Sequence, residues 1–139
     1  MRWLRRHAKI LLAIYAVFLA FALLFPTSDI QSGMVSWLGR MLTDVGVPHH
    51  LVGQSRLEFV MNAVIIAPVP FLGAVLLPRY TWRDWTACGF AGALLVELCQ
   101  GLFLTGRNAS YADVVANTLG ALVGAGLARL WRRTRILVR

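Results

Sequence analysis

Apolar positions along this chain gather into four long runs separated by polar stretches. Residues 10–25, 59–77, 86–105 and 111–130 are almost continuously apolar. Each approaches the ~20 residues a helix needs to cross a hydrocarbon core of ~30 Å. The pattern predicts helices over about 8–26, 57–78, 85–105 and 111–131. Connections of about five to eight residues join the last three, which makes them antiparallel neighbours. The expected fold class is therefore an all-α membrane protein: four transmembrane helices in an antiparallel bundle, forming one domain over residues 1–139.

The first run also has the outline of a signal peptide, with a basic start, an apolar stretch and Ala20-Phe21-Ala22 as a cleavage pattern. Leu23, Leu24 and Phe25 carry the run past that point. The expectation is an uncleaved helix with Lys9 snorkelling to the interface.

The stretch from Pro26 to Glu58 has its own periodicity. Met34, Leu38, Met41, Leu42 and Val45 recur at helical spacing, with Ser36, Arg40, Thr43 and Asp44 opposite. Ser32 is a candidate N-cap, and Gly46 and Pro48 supply a stop. This predicts a short amphipathic helix over about 33–45, lying on the outer membrane face, capping the bundle or simply filling the loop.

Composition agrees with a lipid solvent. Hydrophobic residues make up 58% of the chain and charged residues 14%, and a soluble globule of this length lacks the interior to hide so much apolar surface. The net charge of +8 comes from fourteen basic and six acidic residues. The basic residues do not form a nucleic-acid motif. They cluster at Arg2, Arg5, Arg6 and Lys9, at Arg79 and Arg83, and at Arg129, Arg132, Arg133, Arg135 and Arg139, which are eleven of the fourteen. Arg40, Arg56 and Arg107 fall on the opposite side. The bias places both termini in the cytoplasm of a multi-pass protein and the basic ends against anionic headgroups. Trp3, Tyr80, Trp82, Trp85, Tyr111 and Trp131 sit near the predicted interfaces, as an aromatic belt requires.

The remaining signals are weaker. Cys88 and Cys99 are eleven residues apart on one helix, about 16 Å of rise, too far for a disulfide. His49 and His50, with Asp44 nearby, fall short of a metal ligand set. No P-loop, dinucleotide or nucleophile motif occurs, and no cofactor is expected. Asn108-Ala109-Ser110 matches a glycosylation triplet but lies in a very short loop against the membrane.

Polar groups inside spanning segments cost at least a few kcal/mol each and are functional candidates by default. Here they concentrate toward the outer end. Glu58 and Asn62 are four apart on the second helix, Glu97 and Gln100 three apart on the third, and Asp113 and Asn117 four apart on the fourth. Each pair shares a helix face. Gly120 and Gly124 extend the fourth-helix stripe inward, permitting close approach of a neighbouring helix or of a second copy of the chain. Pro68 and Pro70 interrupt the second helix and free the carbonyls of Val64 and Ile66. Three helices thus turn polar stripes toward one outward-opening pocket. Glu97 and Asp113, in unlike environments, can divide acid and base roles. Arg107 can hold a phosphate or carboxylate, and Asn62, Gln100, Asn117 and Glu58 can orient a headgroup. The competing reading is an interhelical network that only holds the bundle in register.

The segment Glu97-Leu-Cys-Gln100, Arg107, then Asp113-Val-Val-Ala-Asn117-Thr-Leu-Gly120-Ala-Leu-Val-Gly124 resembles the VanZ-like family of small bacterial membrane proteins. The family pattern is Glu-x-x-Gln, then Arg, then Asp-x-x-x-Asn-x-x-Gly-x-x-x-Gly, and the seven residues match it position for position. Asn62 followed by Pro68 is similar to the family's second-helix pattern, although Pro68-Val-Pro70 stands where Pro-Leu-Gly is common. The resemblance implies a bacterial plasma-membrane protein. The family's namesake is linked to low-level resistance to teicoplanin, a lipid-bearing glycopeptide, and the family supplies no settled reaction. The leading expectation is an envelope protein that binds an anionic lipid headgroup or lipid-linked precursor, with acid–base chemistry as an extension. Its partners are membrane lipids or a lipoglycopeptide, not nucleic acid. The alternatives are a non-enzymatic scaffold of envelope assembly and a small proton-coupled transporter.

Overall fold

The computed structural model describes residues 2–24, 29–103 and 110–137, with side chains over 6–22, 32–103 and 110–134. Among the described residues all regular structure is helical: α1 (Arg2–Leu24), α2 (Asp29–Asp44), α3 (Gln54–Ile66), α4 (Pro68–Leu76), α5 (Trp82–Phe103) and α6 (Tyr111–Leu137). Three stretches are long and apolar enough to cross a membrane: Gln54–Leu76, Trp82–Phe103 and Tyr111–Thr134. The first of these is α3 and α4 together. Its hydrogen-bond ladder breaks around the prolines, yet Ala67 stays right-handed helical at φ −52° and ψ −36°, so the run continues through the break.

Several helix ends differ from the hydropathy pattern, because hydropathy marks what lies in lipid and not what is helical. α1 includes the basic residues before Ala8, and α6 runs six residues past 131 through a basic tail. Arginines are good helix formers and favour a helix C-terminus. α5 begins at Trp82, fixed by a reciprocal cap. The Thr81 amide and hydroxyl donate to Asp84 Oδ2 at 2.7 and 2.8 Å, and the Asp84 amide donates to Thr81 Oγ1 at 3.3 Å. α2 starts three residues before Ser32, which therefore lies inside the helix and does not cap it. α2 does end at the expected place: Gly46 takes φ +92°, a conformation glycine adopts without strain, and accepts the turn there.

α6 is the central helix, packing against α5 on one side and α3 and α4 on the other; α1 packs on α4 and α2 on α3. Small residues make this possible. A Cβ built on Gly120 would fall on the Ala63 carbonyl, and one on Gly124 on the Ala67 carbonyl. The Gly-x-x-x-Gly stripe is therefore spent within the chain, against its own α3–α4 backbone. On the other face, a Cβ on Gly89 of α5 would meet Ala121, and Ala116, Ala125 and Ala128 are fully buried. α1 is tied to the proline break by one bond, Tyr15 OH donating to the Ile65 carbonyl at 2.6 Å. Outside the bundle, Val35 of α2 packs with Val52 and Leu57, joined by Leu38 and Leu42.

In the three long apolar stretches most buried positions are small or polar, Leu57 and Val114 being the larger exceptions, while large apolar side chains such as Leu95, Leu102 and Val123 face outward. That inverted distribution is what lipid as solvent selects.

Candidate functional site

The polar stripe of α5 is placed by helix periodicity. Gly89, Ala93, Glu97 and Gln100 follow one face, and that face meets α6. Glu97 and Gln100 are each only 5% exposed, although Glu97 lies six residues, or about 9 Å of rise, from the end of α5 at Phe103. On α6, Asp113 occupies the first turn and Asn117 is 7% exposed one turn further on.

Two bonds tie these groups together. The Ser110 amide donates to Glu97 Oε2 at 2.7 Å. Ser110 is also where α6 starts, since its carbonyl accepts from the amides of Asp113 and Val114 at 3.2 and 3.3 Å. Glu97 of one helix thus holds an amide that opens the next, at an end whose dipole favours negative charge. Asn62 Nδ2 of α3 donates to Asp113 Oδ1 at 2.7 Å. This bond joins chain segments 51 residues apart.

The structure therefore gathers Glu97 and Asp113 at the N-terminal end of α6, with Asn62 fixed on Asp113, Asn117 buried one turn further into α6, and Gln100 buried one turn nearer the end of α5. Glu58 is engaged differently: its Oε1 accepts from Gln54 Nε2 at 3.1 Å, one turn back along α3. Arg107 lies outside the described residues. Ser110 was missed as a site residue, although Ser110-Tyr-Ala-Asp113 at the start of an apolar run is a capping pattern that marks it. Tyr15 was missed too, and its one signal is a hydroxyl in an otherwise apolar run.

His49 lies with Arg40 and Asp44 around a cavity of about 270 Å³ between α2 and α3. Among the described residues no group of three His, Cys, Asp or Glu side chains could hold a metal ion.

What fold and site define together is a helical membrane protein whose interior polar groups come from three different helices and meet at one end of the central one. The chain belongs to the VanZ/LLP1 family, whose pattern it matches over residues 10–132. It is also similar to a WAT1-related protein of Arabidopsis thaliana, with 29% identity over 103 residues. That match covers 71% of this chain but only 29% of the plant protein. No solved structure matches.

Proposed function

We propose that this chain is a bacterial plasma-membrane protein with four spans, α1 being the fourth, and that its termini are cytoplasmic. Its polar end, facing out of the cell, binds the anionic headgroup of a lipid or of a lipid-linked envelope precursor. One observation carries the reading: two carboxylates and three amides are drawn from three helices to one end of α6, with Glu97 and Asp113 each accepting a bond of 2.7 Å from another segment. A bundle that needed only adhesion has cheaper means, because interhelical hydrogen bonds average about 0.6 kcal/mol while an ionisable group in a span costs at least a few.

In this reading Arg107 pairs with the anionic group, Gln100 and Asn117 orient its polar atoms, and Glu97 and Asp113 are placed to exchange a proton with it. Glu58, at the mouth of α3, meets the approaching ligand. Binding of lipid-bearing molecules at the outer face accounts for a role in low-level teicoplanin resistance. Native mass spectrometry of the purified protein tests the proposal. Wild type should retain a lipid or lipid-linked species, and Glu97→Ala, Arg107→Ala and Asp113→Ala should each lose it while still inserting. Undiminished retention in all three variants would sink the proposal.

The scaffold reading has one observation in its favour: the Asn62–Asp113 and Ser110–Glu97 bonds are internal to the chain. A stoichiometric protein partner on purification, with no bound lipid, would select it.

A further inference from the structure

A second cavity lies at the other end of the bundle, away from the Glu97 cluster. It has a volume of about 580 Å³ and is lined by the start of α1, the end of α4 and the start of α5. Arg6 and Lys9 supply two cations on adjacent turns of α1, and Leu12, Leu76 and Leu77 supply apolar walls. No acidic side chain lines it; Asp84, on the first turn of α5, is engaged by Thr81.

Trp85 lines the same cavity. Its ring lies where a Cβ on Gly73 would be, so the glycine is what lets the indole seat against α4. Its Nε1 is buried and, among the described residues, has no hydrogen-bond partner. Buried indole N–H groups normally find an acceptor. The Trp85 nitrogen has no surface open to the cavity, so Trp85 contributes an apolar wall, and the cavity combines two cations with greasy walls.

We infer that this cavity is a binding site for one anionic phospholipid, its phosphate held between Arg6 and Lys9 and its proximal acyl chain lying on Leu12, Leu76, Leu77 and the Trp85 ring. Charge complementarity selects the anion, and basic pockets between spanning helices are suited to anionic headgroups. The apolar walls select a lipid over a free phosphate ion. The volume falls in the range of small-molecule sites, roughly 300–1,000 Å³, well beyond what a phosphate alone requires. The inference does not rest on the proposed outward site, which uses different residues at the opposite end.

The test titrates the purified full chain in a neutral detergent with dioleoylphosphatidylglycerol and, separately, dioleoylphosphatidylcholine, reading bound lipid by native mass spectrometry. The expected result is a preference for phosphatidylglycerol on the order of tenfold or more. Arg6→Gln with Lys9→Gln should bring it down to the phosphatidylcholine level. Arg129→Gln with Arg133→Gln removes the same charge from exposed positions on α6 and should leave the preference intact. All variants are read in a Glu97→Gln background, which disables the proposed outward site, and Glu97→Gln alone should keep the preference. Equal binding of the two lipids by wild type would overturn the inference, as would a preference that survives loss of Arg6 and Lys9. So would an equal loss in the α6 control, or displacement of the lipid by millimolar inorganic phosphate. Loss of the preference in Glu97→Gln would assign the lipid to the other end and likewise overturn it.

Discussion

Single residues decide how closely the helices of this protein approach, and which polar groups meet. Gly120 and Gly124 face the backbone carbonyls of Ala63 in α3 and of Ala67 at the α3–α4 junction, which cannot swing aside as a side chain tip can. Gly120→Ala should therefore cost about 1–3 kcal/mol through forced separation of the helices. Gly126→Ala, with nothing within 4 Å of its added carbon, should cost nothing; thermal unfolding in detergent compares the two. The Asn62–Asp113 bond makes its own prediction. A double-mutant cycle of Asn62→Ala and Asp113→Ala should show a coupling of roughly 0.5–1.7 kcal/mol, and additive effects would mean that the 2.7 Å contact contributes nothing. At this scale the sequence was informative wherever the chemistry was periodic. The four-residue spacing of Asp113 and Asn117 and the three-residue spacing of Glu97 and Gln100 put these groups on shared faces before any coordinates. What spacing within a helix cannot convey is partnership between helices. That Asn62 pairs with Asp113, while Glu58 turns to Gln54, depends on where α3 lies against α6.

Elements were legible in proportion to how strongly lipid shapes them. Over the described residues the later apolar runs follow α3 with α4, α5 and α6, because a spanning segment must satisfy its backbone internally. Outside lipid this constraint vanishes, and there the ends moved: α1 and α6 extend through basic residues, and α5 starts at a cap that hydropathy does not register. α2 shows a different limit. Its apolar positions read as one stripe, but the structure divides them. Val35, Leu38 and Leu42 pack toward α3, while Met34, Trp37, Met41 and Val45 remain exposed. Spacings of three, four and four residues put the second set on one face, which is the layout of a helix lying in a membrane interface. Replacing Trp37 and Met41 together by Ser should weaken the association of α2 with lipid without unfolding the bundle. Quenching of Trp37 fluorescence by brominated lipids in wild type, in a background with the other tryptophans changed to Phe, reads that contact directly. No quenching would mean that the face points to water.

At the scale of the whole molecule, the two ends of the bundle have opposite chemistry. One end gathers Glu97, Asp113 and their amide partners. The other carries Arg6, Lys9, Arg79, Arg83 and Arg132, with Arg132 Nη1 donating to the Pro78 carbonyl at 3.4 Å and Arg79 stacked 4.8 Å from the Tyr80 ring centroid. In the orientation proposed from the positive-inside bias, the basic end meets the cytoplasm. In a Cys88→Ala, Cys99→Ala background, an impermeant maleimide should label Arg40→Cys on intact cells and Arg83→Cys only after lysis. The reverse pattern would turn the molecule over and move the acidic end inside. The most direct test of an outward ligand site is the isosteric change Glu97→Gln, followed at once by ligand retention and by unfolding temperature. A binding role predicts that the lipid species held at the outward site disappears, leaving any lipid at the Arg6–Lys9 cavity, while the unfolding temperature stays within a few degrees of wild type. Undiminished lipid retention, with or without a fall in stability, would contradict it and leave Glu97 as a strut between α5 and α6.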